Sequence, residues 1–253
     1  MTPHPLSIIF FGTPDFAVPI LNALAADTHY SIILVVSAPL RPSGRRQVPP
    51  LTAVEVAANR LGLKCARPEK LKSNSNFLAE IALLKADFFV VAAYGQIIPA
   101  TYLSLPAFGT VNIHPSLLPA YRGAAPLQSA ILDGLSTTGV TIIKMDAEMD
   151  HGPILWQKTQ ALLNDDTPFS LGQRLFTLAS IKLPELLLSL SNGQLSPTPQ
   201  SHQQATFTKL IDRDSGAIDW NSSAEQITRS LRAYTPWPGI FSFLPDGRRL
   251  KIL

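Results

Sequence analysis

The chain has 253 residues, 46% of them hydrophobic and only 15% charged, against a usual charged content of about 25%. At roughly 150 residues per domain, that length holds one domain and part of another, or one large α/β unit, and the apolar content excludes wholesale disorder. The balance of 21 Lys+Arg against 18 Asp+Glu, net +3, is too small to announce a nucleic-acid binder, so any such role rests on local charge placement.

Ser7 to Phe11 is an apolar run closed by Gly12, and Ala17, Ile20, Leu21 and Leu24 follow at i, i+3, i+4, i+7, which predicts strand, turn and helix. No Lys or Arg precedes that run and Asp15 breaks it, which argues against a secretory signal. Ser31 to Val36 is apolar and β-branched without polar alternation, the pattern of a strand covered on both faces. Between Ser37 and Pro50 lie four prolines (39, 42, 49, 50) and three arginines (Arg41, Arg45, Arg46), with no Asp or Glu from residue 28 to 54. Arginine forks suit phosphates; a solvated loop with incidental arginines is the alternative.

Helical spacing returns at Val54, Ala57, Ala58 and Leu61 and around Phe77 to Leu84, before the apolar strand Phe88 to Ala93. A strand over Thr110 to His114, a helix near Leu127 to Leu132 and a strand over Val140 to Met145 continue the alternation. The expected fold class is α/β, a mostly parallel Rossmann-like sheet with helices on both faces and ligands at the carboxyl ends of its strands. Leu171 to Leu190 is the longest apolar segment, but Arg174, Lys182 and Glu185 interrupt it, so it reads as a buried helix rather than a membrane span. A single cysteine, Cys65, offers neither an intrachain disulfide nor a thiolate cluster for zinc. These features predict a soluble, cytoplasmic protein.

Residues 191–206 are rich in Ser, Gln and Pro and read as a linker between a domain over 1–190 and a β-rich segment over 207–253. That segment predicts a short helix from Ala224 to Tyr234 and a hairpin around Pro245-Asp246-Gly247. A lone hairpin is marginal in water, so the expectation is the truncated opening of a second domain; the alternative is a hairpin packed back on the first.

Side chains alternate along a strand, so Asn112 and His114 share one side of Thr110–His114 and Val111 and Ile113 the other. Two polar groups emerging together from an apolar strand need partners or a ligand; a functional cleft and simple loop-capping hydrogen bonds both meet that need. Downstream, Val140 to Met145 runs into the carboxylate-rich loop Asp146 to Gly152, and a parallel arrangement of the two strands would bring their ends together. A carboxylate beside an imidazole orients it and favours its charged form. Dinucleotide, Walker A, zinc-protease and nucleophile-elbow signatures are absent from the sequence, and His114 and His151 lack metal-ligand spacing.

Several segments together carry a resemblance. They are Gly12-Thr13-Pro14-Asp15-Phe16-Ala17, Arg41-Pro42-Ser43-Gly44-Arg45, Ala93-Tyr94-Gly95 with Ile97-Ile98-Pro99, Asn112-Ile113-His114-Pro115-Ser116-Leu117-Leu118-Pro119, Arg122-Gly123-Ala124-Ala125-Pro126 and Asp150-x-Gly152. In these the chain resembles the 10-formyltetrahydrofolate-dependent formyltransferases, and the first and fifth favour the methionyl-tRNA branch over the sugar-amine branch. The resemblance implies formyl transfer from 10-formyltetrahydrofolate to methionyl-initiator tRNA; a monomer is expected, and the spacing of the histidines argues against a metal. It implies catalytic roles for Asn112, His114 and Asp150, and a folate site at Tyr94, Gly95, Ile97, Ile98, Ser116, Leu117, Leu118, Pro119 and Asp146. It places tRNA contacts at Arg41, Arg45 and Arg46.

The chain departs from the family pattern at Leu40 and Gln47-Val48 in the basic loop and at Glu148-Met149 in the acidic loop. With the C-terminal domain expected to be incomplete, weakened tRNA affinity is expected too. A sugar-amine formyltransferase and a non-catalytic folate- or RNA-binding module are the alternatives.

Overall fold

A computed structural model of the chain describes residues 4–39 and 50–253. Arg41, Arg45 and Arg46 lie outside the described residues.

β1 (Leu6–Gly12) starts the sheet, followed by a 3₁₀ turn at Asp15–Ala17, α1 (Val18–Ala26) and β2 (Tyr30–Val36). Then come α2 (Ala53–Arg60), β3 (Cys65–Ala66), α3 (Ser75–Leu83), β4 (Phe88–Ala92), α4 (Ala100–Leu103) and β5 (Thr110–His114). Thr52 and Asn74 start α2 and α3 by accepting the Glu55 and Phe77 backbone N–H groups at 3.1 Å each, which satisfies donors that a helix leaves unpaired at its first turn. α5 (Pro126–Leu132), β6 (Thr137–Lys144), β7 (Ile154–Ala161) and α6 (Pro168–Ser191) complete the layers around the sheet.

The seven strands lie in the order β3-β2-β1-β4-β5-β6-β7. β3, β2, β1, β4 and β5 run parallel to their neighbours, whereas β5/β6 and β6/β7 are antiparallel. The expected parallel approach of the strand before the acidic loop is therefore corrected: Val111 pairs with Lys144 and His114 with Thr141. An apolar run signals burial and not direction, which the connection sets.

Each face of the sheet carries its own core. Ile8 and Phe10 pack with α1 and α6 through Ile20, Leu24, Leu175, Phe176 and Leu183, while Ile9 and Phe11 pack with Phe77, Ile81, Phe89 and Tyr102. All four consecutive β1 residues from Ile8 to Phe11 are 0% exposed, worth about 1.5–3 kcal/mol for each such side chain. Because β2 and β4 flank β1 on opposite sides, the chain leaves β1 in both directions, and the crevice at the carboxyl ends lies at that reversal.

Beyond α6 the chain stays on the domain. The Thr198 and Ile154 backbones exchange hydrogen bonds at 2.8 Å, and the Arg122 backbone is bracketed by Thr206 C=O and Thr208 N–H at 2.8 and 2.7 Å. α7 (Ala224–Ala233) buries Ala233 in the first core, and Arg232 Nη1 donates to the Asp166 carbonyl at 3.1 Å. β8 (Ile240–Phe243) and β9 (Arg249–Ile252) form an antiparallel hairpin, tied to Ala217 by a bridge at Phe241. Among the described residues no helix is long and apolar enough to cross a membrane.

Candidate active site

β5 ends where the crevice opens. Val111 and Ile113 enter the first core, and alternation puts Asn112 and His114 on the other side. There they meet one atom: Asp150 Oδ1 lies 3.4 Å from Asn112 Nδ2 and 3.5 Å from His114 Nδ1. The other carboxylate oxygen, Oδ2, accepts the Gly123 backbone N–H at 2.8 Å. His114 is buried, and its Nε2 lies 2.9 Å from the Tyr121 carbonyl oxygen. A carbonyl only accepts, so Nε2 carries hydrogen and Nδ1 is the nitrogen turned to the carboxylate.

Asp150 reaches this position although β6 runs antiparallel to β5, because the loop after β6 folds back across the sheet. Gly152 makes that fold: a Cβ there would stand 1.9 Å from the Lys144 carbonyl oxygen. Asp150 itself has φ +50°, a left-handed conformation that Asp tolerates better than most residues. The same loop holds His151, whose Nδ1 lies 2.7 Å from Asp146 Oδ2 and whose ring stacks on His202 with centroids 3.9 Å apart.

The residues read as a folate site divide. β4 runs beside β5 and ends in the Tyr94 to Pro99 loop, where Gly95 is exposed and Ile97 is 79% exposed. Tyr94 and Ile98 point inward into the second core, with the Tyr94 ring edge-on to Phe11 at 5.4 Å. Burial raises the Tyr94 phenol above its ordinary range, and its hydroxyl has no partner among the described residues, while its carbonyl accepts from Thr13 Oγ1 at 2.7 Å.

Ser116 and Leu118 are buried, and Leu117 and Pro119 are half-buried. Ser116 Oγ donates to Ala120 O at 2.7 Å; the Leu118 N–H donates to Thr141 Oγ1 at 3.1 Å and its C=O accepts from Gln157 at 2.8 Å. These groups have protein partners and brace the turn after His114. Asp146 is half-buried and engaged by His151 and by the Glu148 N–H, the latter at 3.0 Å.

Sequence reasoning missed the layer behind Asp150. Arg122, quoted only as part of a motif, is 3% exposed and donates through Nε and Nη2 to Gln200 Oε1 at 3.2 and 2.6 Å. Its Nη2 also lies 2.9 Å from His202 Nδ1. Gln200 and His202 come from the run read as a linker, where nothing local marks a buried glutamine.

Comparison with known proteins gives this arrangement a lineage. Residues 6–187 match the model of the formyl transferase family, and residues 210–253 that of the formyl transferase C-terminal domain. The chain belongs to the formyl transferase family. A methionyl-tRNA formyltransferase of Roseiflexus sp. (strain RS-1) is 49% identical over 249 residues, which are 98% of this chain and 76% of that relative. Among solved structures, a 4-N formyltransferase from Francisella tularensis has a TM-score of 0.75 at 19% identity, covering 99% of this chain and 97% of that one. HypX from Aquifex aeolicus, solved in complex with tetrahydrofolic acid, has a TM-score of 0.66 at 18% identity, covering 96% of this chain and 36% of that one. This formyltransferase shares the fold of both.

Proposed function

We propose that this formyltransferase moves the formyl group of 10-formyltetrahydrofolate onto the α-amino group of methionine esterified to initiator tRNA. The observation that carries the reading is the meeting of the Asn112 amide and the His114 imidazole at one carboxylate oxygen of Asp150. The acceptor follows from 49% identity, across 98% of the chain, to a relative named for methionyl-tRNA, against 19% to a structure named as a 4-N formyltransferase.

In the reaction a new C–N bond forms to the amine, the bond from the formyl carbon to the folate nitrogen breaks, and one proton passes from amine to leaving nitrogen. Asn112 Nδ2 donates to the formyl oxygen as negative charge develops there, an interaction whose removal costs about 2.7–4 kcal/mol in comparable sites. An α-amino group with an ordinary pKa of about 7.7–8 is already partly neutral at working pH, so His114 serves mainly to carry the proton to the leaving nitrogen through Nδ1. Asp150 orients that ring. Its contacts of 3.4 and 3.5 Å are long for hydrogen bonds and are expected to tighten with substrate in place.

For the donor, Gly95 and the exposed Ile97 offer backbone groups and an apolar surface to a flat ring at the end of β4, with Ile98 anchoring the loop from beneath; the Asp146 loop lies across the crevice. Ser116, Leu117, Leu118 and Pro119 support that wall. Arg41, Arg45 and Arg46 contact acceptor phosphates. We divide the chain into a catalytic domain over 1–190, a connecting segment over 191–206 and a tRNA-binding region from 207 onward, and read it as a monomer working in the cytoplasm.

The test is a competition: 10-formyltetrahydrofolate with charged initiator tRNA and an amino-sugar nucleotide in one reaction. Formylmethionyl-tRNA as the main product supports the reading. Formylated sugar alone would replace it with a sugar-amine formyltransferase.

A further inference from the structure

Resting on that reading, we infer that Gln200 is a positioning residue for catalysis: its side-chain amide holds the backbone of the Asp150 loop in the conformation that aims the carboxylate at Asn112 and His114. Gln200 is 5% exposed, and its Nε2 donates to the carbonyl oxygens of Asp150 and Gly152 at 2.8 and 2.7 Å. Its Oε1 accepts from Nε and Nη2 of Arg122. Both ends of the amide are thereby fixed. A flipped amide would set oxygen against two carbonyls and NH₂ against a guanidinium, so the surroundings admit one orientation.

The grip falls where it matters. Asp150 sits at φ +50°, a conformation that costs a non-glycine residue energy and persists only where the surroundings impose it. Gln200 draws the two carbonyls flanking His151 toward itself, while the Gly123 N–H holds Asp150 Oδ2 from the other side. Arg122, which orients Gln200, is the residue before Gly123, and its backbone is bracketed by Thr206 and Thr208. The segment 198–208 thus ties the two loops that present Asp150 and the Tyr121 carbonyl partner of His114. Gln200 touches neither reacting group and acts through Asp150.

Two substitutions in the full chain separate this role from simple packing. Gln200→Glu keeps an oxygen for Arg122 and loses the donors to Asp150 and Gly152; Gln200→Met keeps the side-chain length and loses both. Steady-state formyl transfer from 10-formyltetrahydrofolate to methionyl-initiator tRNA should show kcat reduced about tenfold to a hundredfold in each, as expected for a displaced catalytic group. Both KM values should stay within about twofold of the parent. If Gln200→Met unfolds in a thermal melt, Gln200→Glu decides alone, and hydrogen exchange over 146–154 should be faster in it than in the parent. Parental kcat in Gln200→Glu would overturn the inference, as would raised KM values at unchanged kcat. A parent chain that transfers no formyl group at all would refute the proposed function itself and remove the basis for the role.

Discussion

The Asp150 carboxylate is fixed from behind by Gly123, whose backbone N–H reaches Oδ2 at 2.8 Å and leaves Oδ1 to face Asn112 and His114. Charge and backbone shape at position 150 are therefore separable by mutation. Asp150→Asn keeps a side chain that tolerates the left-handed backbone, and it should lower kcat by about 10²–10⁴-fold, the usual range for acid–base machinery, with little change in Tm. Asp150→Ala should lose the same turnover and also about 1–2 kcal/mol of stability from its φ of +50°, a fall of roughly 2–8 °C in Tm. Equal melting points for the two would contradict this division.

Gly152 should tolerate no side chain. An added Cβ would lie 1.9 Å from the Lys144 carbonyl oxygen, a backbone atom that cannot swing aside, so Gly152→Ala must displace the loop carrying Asp150. We expect a loss of about 1–3 kcal/mol in denaturant unfolding together with reduced kcat. A variant of parental stability and turnover would show that the loop is not held as described.

The basic loop is testable through salt. If Arg45 meets an acceptor phosphate, Arg45→Ala should raise KM for tRNA and leave the KM for 10-formyltetrahydrofolate unchanged. It should also make the slope of log affinity against log salt shallower by about 0.7–0.9 for each phosphate that is no longer neutralised. An unchanged slope would remove Arg45 from the interface.

Cys65 should be a slow nucleophile. Burial, reinforced by the nearby Glu55 carboxylate and opposed by Arg67, pushes its thiol up to about 11, so the reactive thiolate is scarce below that pH. Alkylation by iodoacetamide should accelerate about tenfold per unit between pH 7 and 9, and at pH 8 it should run about two orders of magnitude slower than a free thiol. A rate that levels off near pH 8.5 would contradict this.

What was legible in the sequence follows from where the information resides. The run Thr110 to His114 announces a strand, and alternation alone puts Asn112 and His114 on one side. The direction of β6 was not legible, because apolar residues record burial and not direction. β7 was missed: its exposed Gln157 to Thr159 stretch is polar, as suits an edge strand. Two-residue β3 carries too few side chains for any period. Tyr94 and Ile98 belong to a motif associated with folate, yet their side chains serve the core. Gln200 is the clearest limit, since a glutamine in a Ser/Gln/Pro-rich run has no local mark of burial and takes on its role only when loops distant in sequence meet around it.

Stabilisation by Asn112 of the charge developing on the formyl oxygen is the step on which the proposed chemistry turns, and the most direct measurement is single-turnover formyl transfer to methionyl-initiator tRNA by Asn112→Ala beside the parent. The expected result is a rate constant lowered about 10²–10³-fold with folate binding within about twofold of the parent. A rate constant within twofold of the parent would contradict that role.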